Sequence, residues 1–171
     1  MEKINVETLR FTKCKGRGYN LQTNYSISGI NGSIKIKMNN VYVPFGYESY
    51  NGKYILNFEI NPEKNNYHYN LYAYLKAFED EMKDINKIRI DDISGKEYFA
   101  SIKESKAGYM MRAYISGNTE IYGYNKGEKI LLTSDNIKNF FCNIELELGS
   151  LWINKNMYGV LWYVKKIEVL L

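Results

Sequence analysis

Alternation of apolar and polar residues is the feature that most constrains the fold of this 171-residue chain. Ile34, Ile36 and Met38 alternate with Lys35 and Lys37, and in a strand such alternation places the two sets on opposite faces. Further strand-like segments follow at 54–60, 87–91, 97–103, 108–115, 121–124, 129–132 and 142–148, and in a C-terminal hairpin at 149–171. The pattern predicts a mostly β protein with roughly eight to ten short antiparallel strands.

One segment, residues 68–86, has the periodicity of a helix. Its apolar residues recur at spacings of three and four, which predicts one core-facing stripe made of Leu71, Leu75, Phe78, Met82 and Ile85. The acidic residues of the segment are expected on the exposed face, namely Glu79, Asp80, Glu81 and Asp84. No linker divides the chain, so we predict a single domain over 1–171 with a basic, partly irregular arm at 1–32. A closed or partly closed barrel would protect the edges of its short strands.

Aromatic residues concentrate in a segment between two strand patterns. Pro44, Gly46 and the Asn51-Gly52 pair predict a loop there, and this loop carries Phe45, Tyr47 and Tyr50. The chain holds 17 Tyr but only seven Phe, and tyrosine can stack through its ring while its hydroxyl stays hydrated. The loop is therefore interpreted as a stacking surface.

Positive charge concentrates near the start of the chain. Residues 1–37 hold seven Lys and Arg against two Glu, a net +5, whereas the whole chain carries +4. Lys13, Lys15 and Arg17 lie in a glycine-containing segment, which is either a phosphate-contacting loop or an ordinary solvated one. Lys35 and Lys37 are predicted to form a basic outer face of their strand.

The strand patterns also display rings beside cations on the face opposite the core. If Met111 and Ala113 are buried, Arg112 and Tyr114 lie together on the other face. Similar reasoning adds Phe99, and the predicted nucleic-acid-binding set also includes Tyr122 and Tyr124 from a later strand and Lys155 from a turn. The alternative is that these rings are buried in a second layer.

Common catalytic and cofactor-binding signals are absent from the sequence. It contains no phosphate-binding loop, dinucleotide-binding turn, zinc-protease helix or nucleophile elbow. His68 is the only histidine, interpreted as a polar residue near a helix start, and Cys14 and Cys142 have no metal-ligand spacing. We expect no enzymatic activity, no cofactor and no metal. The N-terminus has no signal-peptide pattern and no apolar run is long enough to cross a membrane, so a cytoplasmic location is expected.

Two groups of short motifs resemble a known family. They are Val43-Pro44-Phe45-Gly46-x-Glu48-x-Tyr50-x-Gly52-Lys53 with the following Leu56-Asn57-Phe58-Glu59-Ile60, and Leu151-Trp152-x(5)-Tyr158-Gly159-x-x-Trp162. They resemble the OB-fold single-stranded DNA-binding proteins of nucleocytoplasmic large DNA viruses, and the chain is also similar to replication proteins of yeast cytoplasmic linear plasmids. The resemblance implies an OB-like, partly closed barrel. It also implies binding through Phe45, Tyr47, Tyr50, Trp152 and Tyr158.

The function expected from the sequence is sequence-tolerant binding that coats and protects single-stranded DNA during replication. Rings would stack on bases and Lys or Arg would contact phosphates. RNA is an alternative ligand, and homo-oligomers and other replication proteins are further expected partners. A different hypothesis is a structural or replisome-interaction protein with a tyrosine-rich protein-binding face, because tyrosine is also enriched at protein interfaces.

Overall fold

A computed structural model of the protein describes residues 3–15, 23–50, 52–106, 108–132 and 139–170, except the side chains of Tyr47 and Tyr50. The structure is mostly β, as the alternation predicts. Its strands are β1 Arg10–Lys13, β2 Thr23–Ser28, β3 Ile34–Val43, β4 Tyr47–Tyr50, β5 Lys53–Glu59, β6 Glu97–Phe99, β7 Ile102–Ser105, β8 Gly108–Asn125, β9 Glu128–Leu131, β10 Phe140–Ile153 and β11 Met157–Leu170. The helices are α1 Asn66–Met82 and α2 Ile85–Ile88, with 3-10 turns at Val6–Thr8 and Asp91–Ile93.

Packing divides the chain into two compact units. The first unit comprises Met1–Ile34, Pro62–Ser101 and Leu148–Leu161, and the second comprises Lys35–Asn61, Ile102–Glu147 and Trp162–Leu171. Each unit is assembled from three separate stretches of the chain, and β10 and β11 contribute residues to both. The single-domain organisation expected from the sequence stays a prediction.

The first unit combines short strands with the long helix α1 and has a buried apolar core. β2 pairs with β1 and with the end of β10 in antiparallel fashion, whereas β6 pairs with the start of β11 in parallel. Helix α1 begins where the Asn65 side chain accepts a hydrogen bond from the His68 backbone N–H at 2.9 Å. Its predicted apolar stripe is buried, namely Leu71, Leu75, Phe78 and Met82.

Three expectations about this part of the chain are wrong. Ile85 is 40% exposed because α1 ends at Met82, before the stripe would reach it. Glu79 is 2% exposed instead of solvated, and its carboxylate accepts hydrogen bonds from the Ser101 backbone N–H and the Tyr98 hydroxyl. Residues 87–91 are not a strand, because Asp84 caps the short helix α2 and the chain then turns through left-handed Arg89.

In the second unit, the described pairings run β3, β10, β11, β8, β5 and β4, and β7 and β9 also pair with β8. β8 and β11 are parallel, with Tyr114 opposite Tyr163 and Tyr122 opposite Glu168, which corrects the expectation of antiparallel strands only. Among the described strands no pairing closes the sheet, so a barrel is not confirmed. The core is the apolar face that alternation predicts, and its fully buried members include Met38, Leu56, Phe58, Met111, Ala113, Leu146 and Ile167.

The aromatic segment predicted as a loop is mostly strand. Val41 and Val43 are completely buried at the end of β3, and β4 pairs with β5 in a hairpin that places Tyr47 opposite Leu56. Gly52 supplies the positive φ of +73° that this tight turn requires. Only the short connection around Pro44 and Phe45 remains irregular.

Candidate nucleic-acid interface

The second unit presents a sheet surface opposite its core, which we call the outer face. It is formed on β3, β10, β11, β8 and β9 by side chains that alternate with buried residues such as Ile36, Cys142 and Ile167. Its members include Lys35, Lys37, Asn39, Tyr42, Phe141, Asn143, Glu145, Lys166, Glu168, Glu120, Tyr122, Tyr124, Lys129 and Leu131.

A bulge in β3 adds a ring to the outer face. Asn40 has a left-handed backbone with φ of 54°, and its N–H donates to the Asn143 Oδ1 at 3.0 Å. Because Asn39 and Asn40 are both exposed, the alternation shifts and Tyr42 follows Lys37 on the same face. The Tyr42 ring lies 5.0 Å from that of Phe141, which is 43% exposed, and the Tyr42 hydroxyl donates to Asn139 Oδ1 at 3.1 Å.

A second pair of rings lies on β8. Tyr122 and Tyr124 meet edge to face with ring centroids 5.9 Å apart, and Tyr124 is 49% exposed. The turn between β8 and β9 has left-handed residues at Lys126 and Gly127. It brings Lys129 back opposite Tyr124.

Lys129 is tied to this ring pair. Its amine lies 4.2 Å from the centroid of the Tyr122 ring and forms an ion pair with Glu120. That ion pair raises the pKa of Lys129 and lowers the pKa of Glu120, so both stay charged at neutral pH. Burial and then the nearby Glu168 carboxylate raise the pKa of Tyr122, so its ring stays neutral.

A cavity of about 200 Å³ lies on the outer face. It is lined by two amines, two amides, two carboxylates and one ring, from Lys37, Lys166, Asn39, Asn143, Glu145, Glu168 and Tyr122. Asn143 donates to Glu168 Oε2 at 3.1 Å, which fixes that carboxylate. Within the described part of the chain, neither Lys37 nor Lys166 forms an ion pair. The cavity therefore offers amines, carboxylates and an aromatic wall with little net charge.

The other predicted residues of the second unit do not line this cavity. Met111 and Ala113 are buried as expected, and Arg112 and Tyr114 are half-buried on the face of β8 opposite the core. Arg112 donates through Nε to Asn57 Oδ1 at 3.4 Å, and Tyr114 lies 6.4 Å from the Tyr163 ring and 5.8 Å from the Lys53 amine. Phe45 is 55% exposed. The side chains of Tyr47 and Tyr50 lie outside the description.

In the first unit, the aromatic side chains predicted to bind nucleic acid pack against other residues of the unit. Tyr158 is 1% exposed and its hydroxyl donates to the Met82 carbonyl at 2.8 Å, so the prediction that it contacts a ligand is wrong for the folded protein. Trp152 is half-buried against Phe99, with ring centroids 5.7 Å apart. A Cβ at Gly159 would lie 2.8 Å from Trp152, which explains why glycine stands there.

The predicted cations of the first unit differ in their partners. Lys13 forms an ion pair with Asp92 at 3.2 Å, whereas Lys15 and Lys155 are exposed. The prediction for Arg17 lies outside the described residues.

Asp92 lines a cavity of about 570 Å³, together with the cations Lys13, Lys87 and Arg89 and the carboxylates of Glu7 and Asp91. Tyr25 donates to Asp92 at 2.6 Å, and this bond raises the Tyr25 pKa to about 12. The same hydrogen bond, followed by that from Lys13, lowers the pKa of Asp92.

No family model matches the sequence, and no curated protein matches it significantly. In the described residues, no group of three or more His, Cys, Asp or Glu side chains could hold a metal ion. No described helix is long and apolar enough to span a membrane.

From the predicted set, the part of the outer face that holds the cavity and the two ring pairs contains Lys35, Lys37, Tyr122 and Tyr124. Sequence reasoning missed its other members, chiefly Tyr42, Phe141, Lys129, Asn143, Glu145, Lys166 and Glu168. Alternation with Cys142 and Ile144 could have identified Phe141, Asn143 and Glu145. No local pattern identifies Lys166, because the register of β11 shifts between Val164 and Lys166.

Proposed function

We propose that the protein binds single-stranded DNA on the outer face of its second unit, with little dependence on base sequence, and coats it during replication. One observation carries the proposal. Two ring pairs, Tyr42 with Phe141 and Tyr122 with Tyr124, lie on the strands that flank a cavity containing Lys37 and Lys166. Every base has a face that can stack on a ring, at roughly 1–3 kcal/mol per base.

Charge is expected to contribute less than stacking. Lys35, Lys37 and Lys166 form no ion pair within the described residues, and exposed amines of this kind are available to phosphates. Glu145 and Glu168 line the same cavity, however, and offset the charge of the two lysines there. If three lysines each neutralise one phosphate, the slope of log affinity against log salt is about −2.

The direct experiment is a fluorescence titration with oligo-dT at two salt concentrations. We expect binding at low salt that weakens at high salt with the slope given above. Absence of binding at low salt, or binding that salt does not change, would overturn the proposal. Parallel titrations with RNA of matched sequence decide between DNA and RNA, because the 2′-hydroxyl is the group that distinguishes them.

Removing the ring pair on β8 tests the stacking surface. Tyr122→Ala combined with Tyr124→Ala should weaken oligo-dT binding by at least about thirtyfold, because two stacking surfaces of roughly 1–3 kcal/mol each are lost. Tyr69→Ala is the matched control, since Tyr69 is 58% exposed on α1 in the first unit. Equal effects of the double variant and the control would contradict a binding role for the outer face.

A protein partner is the second candidate for the same surface. Exposed apolar side chains favour it, because Leu131 is 73% exposed and Phe141 43% exposed, and the cavity is nearly neutral in charge. A replisome adaptor or a second copy of the chain would use such a face. Size-exclusion chromatography with light scattering, with and without oligo-dT, separates self-association from DNA binding.

The proposal also includes a barrel fold, a cellular location and further protein partners. We retain the OB-like, partly closed barrel as the fold hypothesis for the chain, although the described pairings include the parallel β8 and β11. The proposal also retains a cytoplasmic location, no enzymatic activity, and the other replication proteins as further partners.

A further inference from the structure

The cavity on the outer face has a chemistry that a purely sequence-tolerant surface does not need. Its volume of about 200 Å³ is below the roughly 300–1,000 Å³ of sites for drug-sized ligands. It therefore suits a single nucleobase better than a complete nucleotide. Its lining alternates positive and negative groups instead of being uniformly basic.

Two carboxylates supply hydrogen-bond acceptors. Ionised Glu145 and Glu168 accept hydrogen bonds and cannot donate them. Asn143 holds Glu168 in place through the 3.1 Å hydrogen bond to one of its oxygens, and the Asn143 carbonyl is itself held by the Asn40 N–H. Among the described residues, Glu145 forms no hydrogen bond or ion pair that would occupy its carboxylate.

Two amines and a ring complete the cavity. Lys37 and Lys166 can each donate to acceptors on a base. The Tyr122 ring forms part of the wall, where it can contact the face of a base. A matching base therefore needs acceptors on one edge and neighbouring donors on another.

Guanine fits this arrangement better than the other three bases. Its O6 and N7 are the acceptors that lysine recognises, and its N1–H and N2–H₂ are adjacent donors that one carboxylate can accept together. Thymine has one N–H donor between two carbonyl acceptors, so a carboxylate that accepts from this N–H is placed beside carbonyl oxygens that repel it. Adenine and cytosine place a ring-nitrogen acceptor beside their single amino group.

We propose that this cavity binds one unstacked guanine, so that coating of single-stranded DNA carries a preference for strands containing guanine. The inference rests on the proposed function, because the guanine is delivered by a bound strand. Glu145 and Glu168 would recognise the donor edge, Lys37 and Lys166 the acceptor edge, and Asn143 would position Glu168.

Competition titrations with the full chain test the preference directly. A fluorescent oligo-dT is displaced by unlabelled oligo-dT carrying one central substitution with guanine, inosine, adenine or cytosine. We expect guanine to compete about tenfold better than the unsubstituted strand, since a good bidentate contact discriminates by that order. Inosine lacks the 2-amino group and should fall between guanine and thymine.

Glu145→Gln identifies the cavity as the origin of the preference. An amide cannot accept both guanine donors, so the ratio of guanine-strand affinity to oligo-dT affinity should fall towards one. Oligo-dT affinity itself should rise slightly, because the substitution removes a negative charge that offsets Lys37 and Lys166 in the cavity. Glu147→Gln is the matched control on the same strand, because Glu147 pairs with Lys165 at 3.8 Å and does not line the cavity. Melting temperatures of both variants verify that they fold.

The outcomes separate the inference from the proposed function. Binding of oligo-dT without any guanine preference overturns the guanine site and leaves single-stranded DNA binding intact. Failure to bind any oligomer overturns the proposed function and, with it, this inference. Free GMP tests the alternative source of the same base, because GMP that binds as tightly as the guanine oligomer would assign the cavity to a nucleotide and overturn the DNA assignment.

Discussion

The two units use the same residue types in different ways. In the first unit, Trp152 packs on Gly159 and Phe99, Tyr158 bonds to the end of α1, and Lys13 is held by Asp92. In the second, Tyr124 and Phe141 are more than two-fifths exposed on the outer face. The number of rings and cations in a sequence therefore says little about binding. A binding surface needs rings and cations that the fold leaves exposed, whereas those held by packing or by ion pairs are not available to a ligand.

Removing Tyr158 should have the largest effect, a loss of stability. It tests whether the first unit needs its buried aromatic side chains to stay folded. Tyr158→Ala creates a cavity beside α1 and leaves the Met82 carbonyl without this donor, so we expect a loss of about 3–5 kcal/mol in the free energy of unfolding. Urea denaturation followed by circular dichroism measures it. Tyr69→Ala, an exposed tyrosine on α1, should change stability by less than about 0.5 kcal/mol. Similar losses for both variants would show that burial does not separate these rings.

Removing lysines that form no ion pair should have an intermediate effect, which is seen in the salt dependence of binding. Lys37→Ala with Lys166→Ala should reduce the salt dependence of oligo-dT binding by about 1.4 in slope, since each phosphate contact on a single strand contributes about 0.7. Lys76→Ala with Lys83→Ala is the control, because both lysines pair with Asp80 on α1 at 3.7 and 3.3 Å. An equal reduction in the control would mean that net charge, and not the outer face, governs binding.

The smallest effect is expected at alkaline pH and concerns the Tyr25 hydroxyl in the first unit. Its pKa is raised from 10.0 to about 12, first by the hydrogen bond to Asp92 and then by burial. Because the folded state holds this proton more tightly, the stabilisation is complete below pH 10 and is lost as the pH rises to about 12. Tyr25→Phe should remove this pH-dependent contribution to stability, because phenylalanine has no hydroxyl.

The measurement is the difference in urea midpoint between wild type and Tyr25→Phe as a function of pH. A urea-midpoint difference that stays constant from pH 8 to 12 would contradict the link between the Tyr25 pKa and stability.

The contribution of Asp92 to stability has the opposite pH dependence, in the acid range. Its pKa is lowered, so its contribution is present above the ordinary pKa of 3.8 and is lost as the pH falls through the folded value.

Local sequence pattern predicted most of the strands and most of the helix stripe, because burial imposes periods that can be read directly. Leu146 and Met38 are buried as their alternation indicates, and so is the Leu75 stripe of α1. The pattern failed where a single interaction decided the conformation. Glu79 was grouped with its acidic neighbours, yet the Ser101 N–H and the Tyr98 hydroxyl allow it to be buried.

The candidate site was harder to predict because it depends on strand order. Its cavity joins Lys37, Tyr122, Asn143 and Lys166, which are far apart in the chain and lie on four strands. Alternation indicates which face a residue occupies, but it does not indicate which strands are neighbours. The parallel pairing of β8 with β11, which brings Tyr122 beside Glu168, has no local signal.

The shared hairpin of β10 and β11 has a consequence for folding during synthesis. Residues Leu148–Leu161 complete the first unit, whereas the flanking parts of the two strands belong to the second. A ribosome must therefore make most of this chain before either unit has all its strands. Pairing over such long sequence separations closes large loops and slows folding. Until the hairpin emerges, β2 lacks β10 and β8 lacks β11 as a hydrogen-bonded neighbour. Unpaired strand edges promote aggregation, so we expect the nascent chain to depend on chaperones at that stage.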